Sequence, residues 1–298
     1  MLKVNNIVKY YGTNPALNGL SFEVNDGEIF GLLGENGAGK TTTFRIIMGL
    51  LDSTSGDVTL DGKKIDYSVT DKIGFLTEER SLLIKMTVYE QIIYYGMLKS
   101  MNKETIEKRL DTLLDRFKIT EYKHRKIKEL SKGNQQKIQF ISAIINEPKL
   151  LILDEPFTGL DPINVDLFKN MILELKNKGT IIIFSSHQME HIEYFCEKLV
   201  ILVKGKSILE GYLKDIKETY KKKNITIEGD FKVAEIKALK GVIDIIEKGN
   251  EVIVKINDKD VVDQVFKTIS KYHITKFLVE EASLNEIFIE KVGEAYAK

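Results

Sequence analysis

The run Gly34-Glu35-Asn36-Gly37-Ala38-Gly39-Lys40-Thr41 constrains this chain more than any other feature. Glycines at this spacing let the backbone wrap a polyphosphate with its N–H groups pointing inward. The lysine reaches the β/γ-phosphates, and the threonine hydroxyl can bind Mg²⁺. The flanks agree. Gly27-Glu28-Ile29-Phe30-Gly31-Leu32-Leu33 reads as a buried parallel strand, and Thr42-Thr43-Phe44-Arg45-Ile46-Ile47-Met48 has helical spacing. The motif therefore sits on the strand-loop-helix unit it requires.

Downstream, Leu150-Leu151-Ile152-Leu153 ends in Asp154-Glu155-Pro156. A buried strand delivers the side chains at its C-terminal end to the crevice where α/β sheets bind ligands, so Asp154 is placed to hold Mg²⁺ and Glu155 to face a γ-phosphate. By itself such a strand end is common; paired with the phosphate loop it points to nucleoside triphosphate hydrolysis. Between the two, Leu130-Ser131-Lys132-Gly133-Asn134-Gln135-Gln136 precedes an apolar helical stretch. Ser131 is a natural N-cap, and a helix N-terminus offers free N–H groups to an anion.

The order of these segments, followed by His187 after Ile181-Ile182-Ile183-Phe184-Ser185-Ser186, resembles the nucleotide-binding subunit of an ATP-binding-cassette (ABC) transporter over residues 1 to about 215. The resemblance implies that Gly34, Asn36, Gly37, Ala38, Gly39, Lys40, Thr41 and Thr42 hold the phosphates of ATP and that Tyr11 stacks on adenine. It makes Thr41 and Asp154 the Mg²⁺ ligands, Glu155 the general base and His187 the residue that orders the attacking water. It further implies a head-to-tail dimer, in which Ser131, Gly133 and Asn134 of one subunit cover the γ-phosphate held by the other's Lys40, and Gly159-Leu160-Asp161 touches the opposite site.

One position departs from the family. In Thr77-Glu78-Glu79-Arg80 most relatives carry Gln where Glu78 stands. A carboxylate there can serve as a third metal ligand and a catalytic-site residue. It also brings a second negative charge near the γ-phosphate, a repulsion of about 4 kcal/mol at about 4 Å and an effective dielectric near 20. The alternative is a Glu78 that faces solvent and is neutralised by Arg80 or another basic residue.

Other features exclude function classes. Lys+Arg and Asp+Glu number 44 each, so no net field draws the chain to nucleic acid, and no nucleic-acid partner is expected. The single cysteine, Cys196, rules out an internal disulfide and suits a reducing compartment; it falls in an amphipathic helix expected over Glu190 to Lys198. No apolar run approaches the roughly 18 residues that span a bilayer, and Met1-Leu2-Lys3-Val4 opens no signal peptide. The expected place is the cytoplasm, peripheral on the membrane through a permease supplied by another chain. His187 and His191 share the spacing of a zinc-binding helix face, but the residue after His187 is Gln188 where a metalloprotease has Glu. The Lys123-His124-Arg125-Lys126-Ile127-Lys128 cluster reads as a solvated loop, with anionic lipid as the alternative.

The expected fold is α/β: a P-loop ABC-type domain over residues 1–217, a mixed sheet with a helical subdomain at about 87–147. A linker at 218–223 and an α+β domain at 224–298 follow. After Lys221-Lys222-Lys223 the pattern becomes strand, helix, hairpin about Gly249-Asn250, helix, strand, then a closing helix from Leu284, a ferredoxin-like order. With its Ser283-Leu284-Asn285-Glu286-Ile287-Phe288 segment, this domain resembles the extension of exporter-type ABC ATPases, including sodium-efflux and drug- or peptide-resistance groups. The reading is an ATP hydrolase that drives a separate integral-membrane permease, most simply an exporter. The rivals are an ABC ATPase of ribosomes or chromosomes, disfavoured by the single phosphate loop and the lack of a coiled coil, and a non-catalytic nucleotide-dependent regulator, disfavoured by Glu155.

Overall fold

A computed structural model describes residues 1–79, 81–220 and 222–297. Arg80, one of the neutralisers offered in the alternative reading of Glu78, and Lys221 of the expected linker lie outside the described residues. The chain divides into two units, Met1–Glu210 and Gly211–Lys298, so the break falls ahead of the expected boundary at 217.

Alternating apolar residues open the first unit. In β1 (Leu2–Tyr11), Leu2, Val4 and Ile7 are buried. A bulge at Asn5-Asn6, with Asn6 at φ 45°, returns Ile7 to the core side. Strand β2 (Asn14–Val24) pairs antiparallel with β1. Strand β3 (Ile29–Gly34) is buried along its whole length and leads through the phosphate loop into α1 (Lys40–Ile47). Strands β4 (Ser55–Leu60) and β5 (Lys63–Lys64) are joined by Asp61-Gly62, both at positive φ, as a two-residue hairpin turn requires. These give a four-stranded sheet in the order β2-β1-β4-β5.

Strand β6 (Ile73–Leu76) precedes the helical lobe. There α2 (Val88–Leu98) starts on a Thr87/Glu90 capping box, α3 (Lys103–Arg116) on Asn102, and α4 (Lys132–Ile144) on Ser131. The backbone of the basic cluster is tied down and Lys123 is paired, while Arg125, Lys126 and Lys128 are exposed. Val88 N donates to Arg125 O (3.1 Å), Ile127 N donates to Met86 O (3.0 Å), and Lys123 bridges to Asp111.

Strand β7 (Leu150–Asp154), α5 (Pro162–Asn177) and β8 (Ile181–Ser185) follow. Helix α6 (Met189–Phe195) ends before the expected Lys198. Cys196 is already extended, at φ −93° and ψ 127°, because Lys198–Val203 forms β9, which pairs in parallel with β3. With β10 (Lys206–Tyr212) these strands form a six-stranded sheet, β10-β9-β3-β8-β7-β6. Within it β3, β8, β7 and the edge strand β6 are mutually parallel. Their C-terminal ends, at Gly34, Ser185, Asp154 and Leu76, therefore open on one side.

The second unit opens with α7 (Leu213–Thr219) and runs β11 (Lys223–Gly229), α8 (Val233–Lys237), β12 (Val242–Lys248) and β13 (Glu251–Ile256). Helix α9 (Asp260–Ile269), β14 (Ile274–Glu281) and α10 (Leu284–Ala297) complete it. The sheet order β12-β13-β11-β14, with every pair antiparallel, is the expected ferredoxin-like arrangement. Ile225, Ile227, Val254 and Ile256 of its strands pack on Ile236, Val261 and Val265 of α8 and α9. The Ser283-Leu284-Asn285-Glu286 segment is a capping box: Ser283 N donates to Glu286 Oε2 (3.1 Å) and Glu286 N to Ser283 Oγ (3.3 Å).

Candidate active site

The phosphate loop joins β3 to α1, and two glycines make its path possible. Gly34 has φ +154°, and a Cβ there would lie 2.6 Å from Leu202 O; Gly39 has φ +113°, and its Cβ would meet Ala16 O at 2.8 Å. Lys40 Nζ turns back over this loop and donates to Gly34 O (2.7 Å) and Glu35 O (3.3 Å). Burial lowers the Lys40 pKa, opposed by the charges of Asp154, Glu155 and Glu78.

A recess of about 150 Å³ lies over the loop, lined by Ala16, Glu35, Asn36, Gly37, Gly39, Lys40, Thr41, Thr42, Glu78 and Asp154. Sequence-distant residues thus line one recess: the exposed Glu78 after β6 and the buried Asp154 at the end of β7, together with Thr41. Asp154 Oδ1 accepts from Ser185 Oγ (2.5 Å), its register neighbour on β8. Burial raises the Asp154 carboxyl.

Glu155 is 7% exposed and adopts φ 51°, a left-handed conformation that a non-glycine residue takes only when its surroundings hold it there. Its N donates to Ser185 O (3.2 Å), and its Oε2 accepts from Ser186 Oγ (3.4 Å). Its Oε1 is buried without a hydrogen-bond partner, and the half-exposed His187 holds Nε2 at 3.6 Å. Burial raises the Glu155 carboxyl, with the His187 charge acting against it. A desolvated carboxylate beside an imidazole can take a proton from water.

Tyr11, Ser131, Gly133, Asn134 and Asp161 do not line the recess. Tyr11 is half exposed at the end of β1, with Lys9 Nζ 5.6 Å from its ring centre. The others gather in a second group, in which Ser131 and Asp161 are exposed and Gly133 and Asn134 half-buried. Ser131 Oγ caps α4 by accepting from Asn134 N (3.3 Å), Asp161 caps α5 by accepting from Asn164 N (2.9 Å), and Gly133 faces Gly159 O and Leu160. The Asn164 N–H holds the Asp161 carboxyl below its ordinary range. Ala38 is buried, and its N–H is used inside the loop, on Glu35 O (3.1 Å).

Two supporting residues escape sequence reasoning. Gln139 Nε2 donates to Thr77 O (2.9 Å) and Thr77 Oγ1 (3.1 Å), fastening the loop that carries Glu78, and Gln136 Nε2 donates to Pro156 O (3.0 Å) beside Glu155. The available signal is a pair of glutamines on a helix otherwise buried through Ile138, Phe140 and Ile141. His191, one turn beyond His187, lies edge-on to the Phe157 ring at 4.5 Å.

Comparisons with known proteins show which family the chain resembles. Residues 17–158 match the ABC transporter family, and residues 211–292 match the family described as ATP-binding protein DrrA1-3-like, C-terminal domain. An uncharacterized ABC transporter ATP-binding protein of Bacillus subtilis, YhaQ, is 48% identical over 99% of this chain and 100% of its own length. The linearmycin resistance ATP-binding protein LnrL of the same organism is 31% identical over 98% of each chain. A dimeric ATP-binding cassette solved in a post-hydrolysis state with ADP and Pi aligns with TM-score 0.66 at 25% identity, over 72% of this chain and 99% of that one. Members of this family hydrolyse ATP, dimerise and work with membrane permeases. The fold, the recess and the matches over both units therefore converge on one conclusion: this chain belongs to the ATP-hydrolysing, ATP-binding subunits of ABC transporters.

Proposed function

We propose that this subunit energises a separate membrane permease working as an exporter of ions, drugs or peptides. The observation that carries the direction of transport is the likeness to a resistance ATPase through both units, over 98% of each chain. No helix among the described residues is long and apolar enough to cross a membrane, so the permease is another chain in this reading. A cavity of about 330 Å³ between the helical lobe and the nucleotide core, lined by Met48, Leu50, Phe75, Leu82 and Leu98, supports a docking place for it. Leu50 (63% exposed), Leu98 (59%) and nearby Ile84 (54%) give that place an apolar rim.

Hydrolysis in this reading uses the chain's own groups as follows. The loop N–H groups and Lys40 bind the β/γ-phosphates of ATP, and Tyr11 stacks on adenine. Water attacks the γ-phosphorus; its oxygen bonds to phosphorus as the bond to the ADP oxygen breaks, and its proton passes to Glu155 Oε1. His187 orients the water and contacts the γ-phosphate. The Thr41 hydroxyl, the Ser185-held Asp154 carboxylate and Glu78 line one recess and present only oxygen donors, which fits Mg²⁺. When bound, Mg²⁺ neutralises phosphate charge. The Ser131–Asp161 group is assigned to the partner subunit's nucleotide. Its support is Gly133: a Cβ there meets nothing nearer than 3.9 Å within its own chain, so the surface at this helix start is open to an approaching phosphate.

The test is purification from the native membrane. The expected result is recovery with a multi-spanning membrane protein, and ATPase activity in those membranes that Glu155→Gln abolishes. Recovery with ribosomes instead, and none with a membrane protein, overturns the reading.

A further inference from the structure

Strand β14 forms one edge of the C-terminal sheet, bonded to β11 on its inner side alone. Thr275, Leu278, Val279, Glu280 and Glu281 are exposed along it. An edge strand offers a row of N–H and C=O groups to another strand, and proteins usually blunt such edges with a bulge, a proline, short length or charged side chains, of which β14 has the last in Lys276, Glu280 and Glu281. Strand β14 has 8 residues and no proline, and its only register shift lies at the Ile274 end. The other edge, β12, is interrupted by a shift between Val242 and Asp244. Apolar surface lines the β14 edge: Leu278 is 43% exposed, Val279 38% and Phe266 52%, with the Phe266 ring edge-on to Phe277 at 5.2 Å.

We infer that β14 pairs antiparallel with β14 of a second copy of this chain, about a two-fold axis at Leu278, forming a dimer that does not require nucleotide. Side-chain chemistry selects the register. With the axis at Leu278, Leu278 faces its own copy, Phe277 faces Val279 and Lys276 faces Glu280, twice by symmetry. Moving the axis to Phe277 sets Lys276 against Leu278 and Ile274 against Glu280; moving it to Val279 sets Leu278 against Glu280 and Phe277 against Glu281. Only the central register matches charge to opposite charge and apolar to apolar. Glu228 pairs with Lys276, Thr226 with Leu278 and Asn224 with Glu280 on β11, which puts the charged pair and Leu278 on the sheet face away from the core helices. Val279 and Phe277 share the other face, where the exposed Phe266 gains a cover from the second copy. Lys276 Nζ bridges inward to Glu251 at 2.6 Å, and its ammonium keeps further donors for Glu280 of the second copy.

This interface uses none of the nucleotide-site residues, so its test is run on the full chain without nucleotide. Sedimentation of the parent should show a dimer at micromolar to tens-of-micromolar concentration. Leu278→Cys should form an intermolecular disulfide on mild oxidation, since opposed Cα atoms in such a pair lie about 4.5–5.5 Å apart. Thr275→Cys should not, being displaced from its own copy, and the native Cys196 is buried. Lys276→Glu and Glu280→Lys, each alone, should weaken self-association about tenfold. Mixed together they should form a heterodimer. Lys40→Ala should dimerise like the parent; a dimer lost in that variant would belong to the nucleotide site and overturn the inference. So would a monomer at 100 micromolar, equal cross-linking at positions 275 and 278, or two charge variants that stay apart when mixed.

Discussion

His187 Nε2 stands 3.6 Å from Glu155 Oε1, the only buried carboxylate oxygen among the described residues that lacks a hydrogen-bond partner. The pair sits where β7 and β8 end side by side, with Asp154 opposite Ser185 in register. An unpartnered buried acceptor is costly unless something else occupies it during the working cycle. Water bound against a γ-phosphate is that occupant in the proposed mechanism.

Glu155→Gln is accordingly expected to keep ATP affinity within about threefold and to lower turnover by about a hundredfold or more, because phosphate contacts persist while the base is gone. The ATP-bound dimer should accumulate on size-exclusion chromatography with ATP and Mg²⁺. Normal turnover in this variant would remove Glu155 from the mechanism.

Lys40→Ala is expected to abolish nucleotide binding, whereas Ser131→Arg spares binding and blocks hydrolysis. Lys40 faces the recess of its own chain and Ser131 lies outside it. Mixing the two inactive variants should restore one complete site per heterodimer, measurable as partial ATPase activity; heterodimers without activity would refute the shared site.

Gly133→Ala separates the chain's own needs from those of the partner. In the first turn of α4 alanine is the better helix former, by up to about 1 kcal/mol, and nothing within 3.9 Å obstructs its Cβ. Denaturant unfolding should show equal or higher stability, while ATP-driven dimerisation weakens. A loss of stability would mean that the glycine serves its own chain.

Glu78→Gln should remain an active ATPase with its Mg²⁺ requirement changed by less than about tenfold, since an amide oxygen is also a hard donor. Glu78→Ala should uncouple hydrolysis from transport substrate when measured with the permease. Gln139→Leu, which releases Thr77 from α4, should reproduce part of that uncoupling with Glu78 intact. If Glu78→Ala matches the parent with and without permease, Glu78 is neither ligand nor coupling residue.

The side-chain hydrogen bond from Arg116, with Lys178 adding to it, pulls the Glu174 carboxyl down to about 2. A depressed carboxyl stabilises the fold above its unfolded value near 4.5, and that contribution is lost as pH falls from about 4.5 toward 2. The link joins α3 of the helical lobe to α5 of the core. Since Glu174 is about one-third exposed, its worth is about 1 kcal/mol or less. Glu174→Gln should lower the urea midpoint at pH 7 and leave it nearly unchanged at pH 2.5; an equal loss at both would assign the effect to packing.

By itself the sequence determined the strand-loop-helix around Lys40, the Ser131 cap and the β-α-β-β-α-β order after residue 222. Each is written in local spacing: glycines where φ must be positive, a capping residue before an apolar period, turns between alternating runs. Sequence also marked Asp154, Glu155 and His187 as chemical residues, through their order along the chain. Tertiary structure alone decided that Glu78 enters the same recess as Thr41 and Asp154, and that Glu155 Oε1 is left without a partner. Those facts depend on parallel pairing of strands far apart in sequence, β6 with β7 and β7 with β8. The end of α6 at Phe195 had the same origin: the residues beyond it carry helical spacing, but pairing Lys198–Val203 with β3 satisfies a buried backbone that a longer helix would leave unbonded. Local patterning cannot weigh that competition, because the partner strand lies more than a hundred residues away.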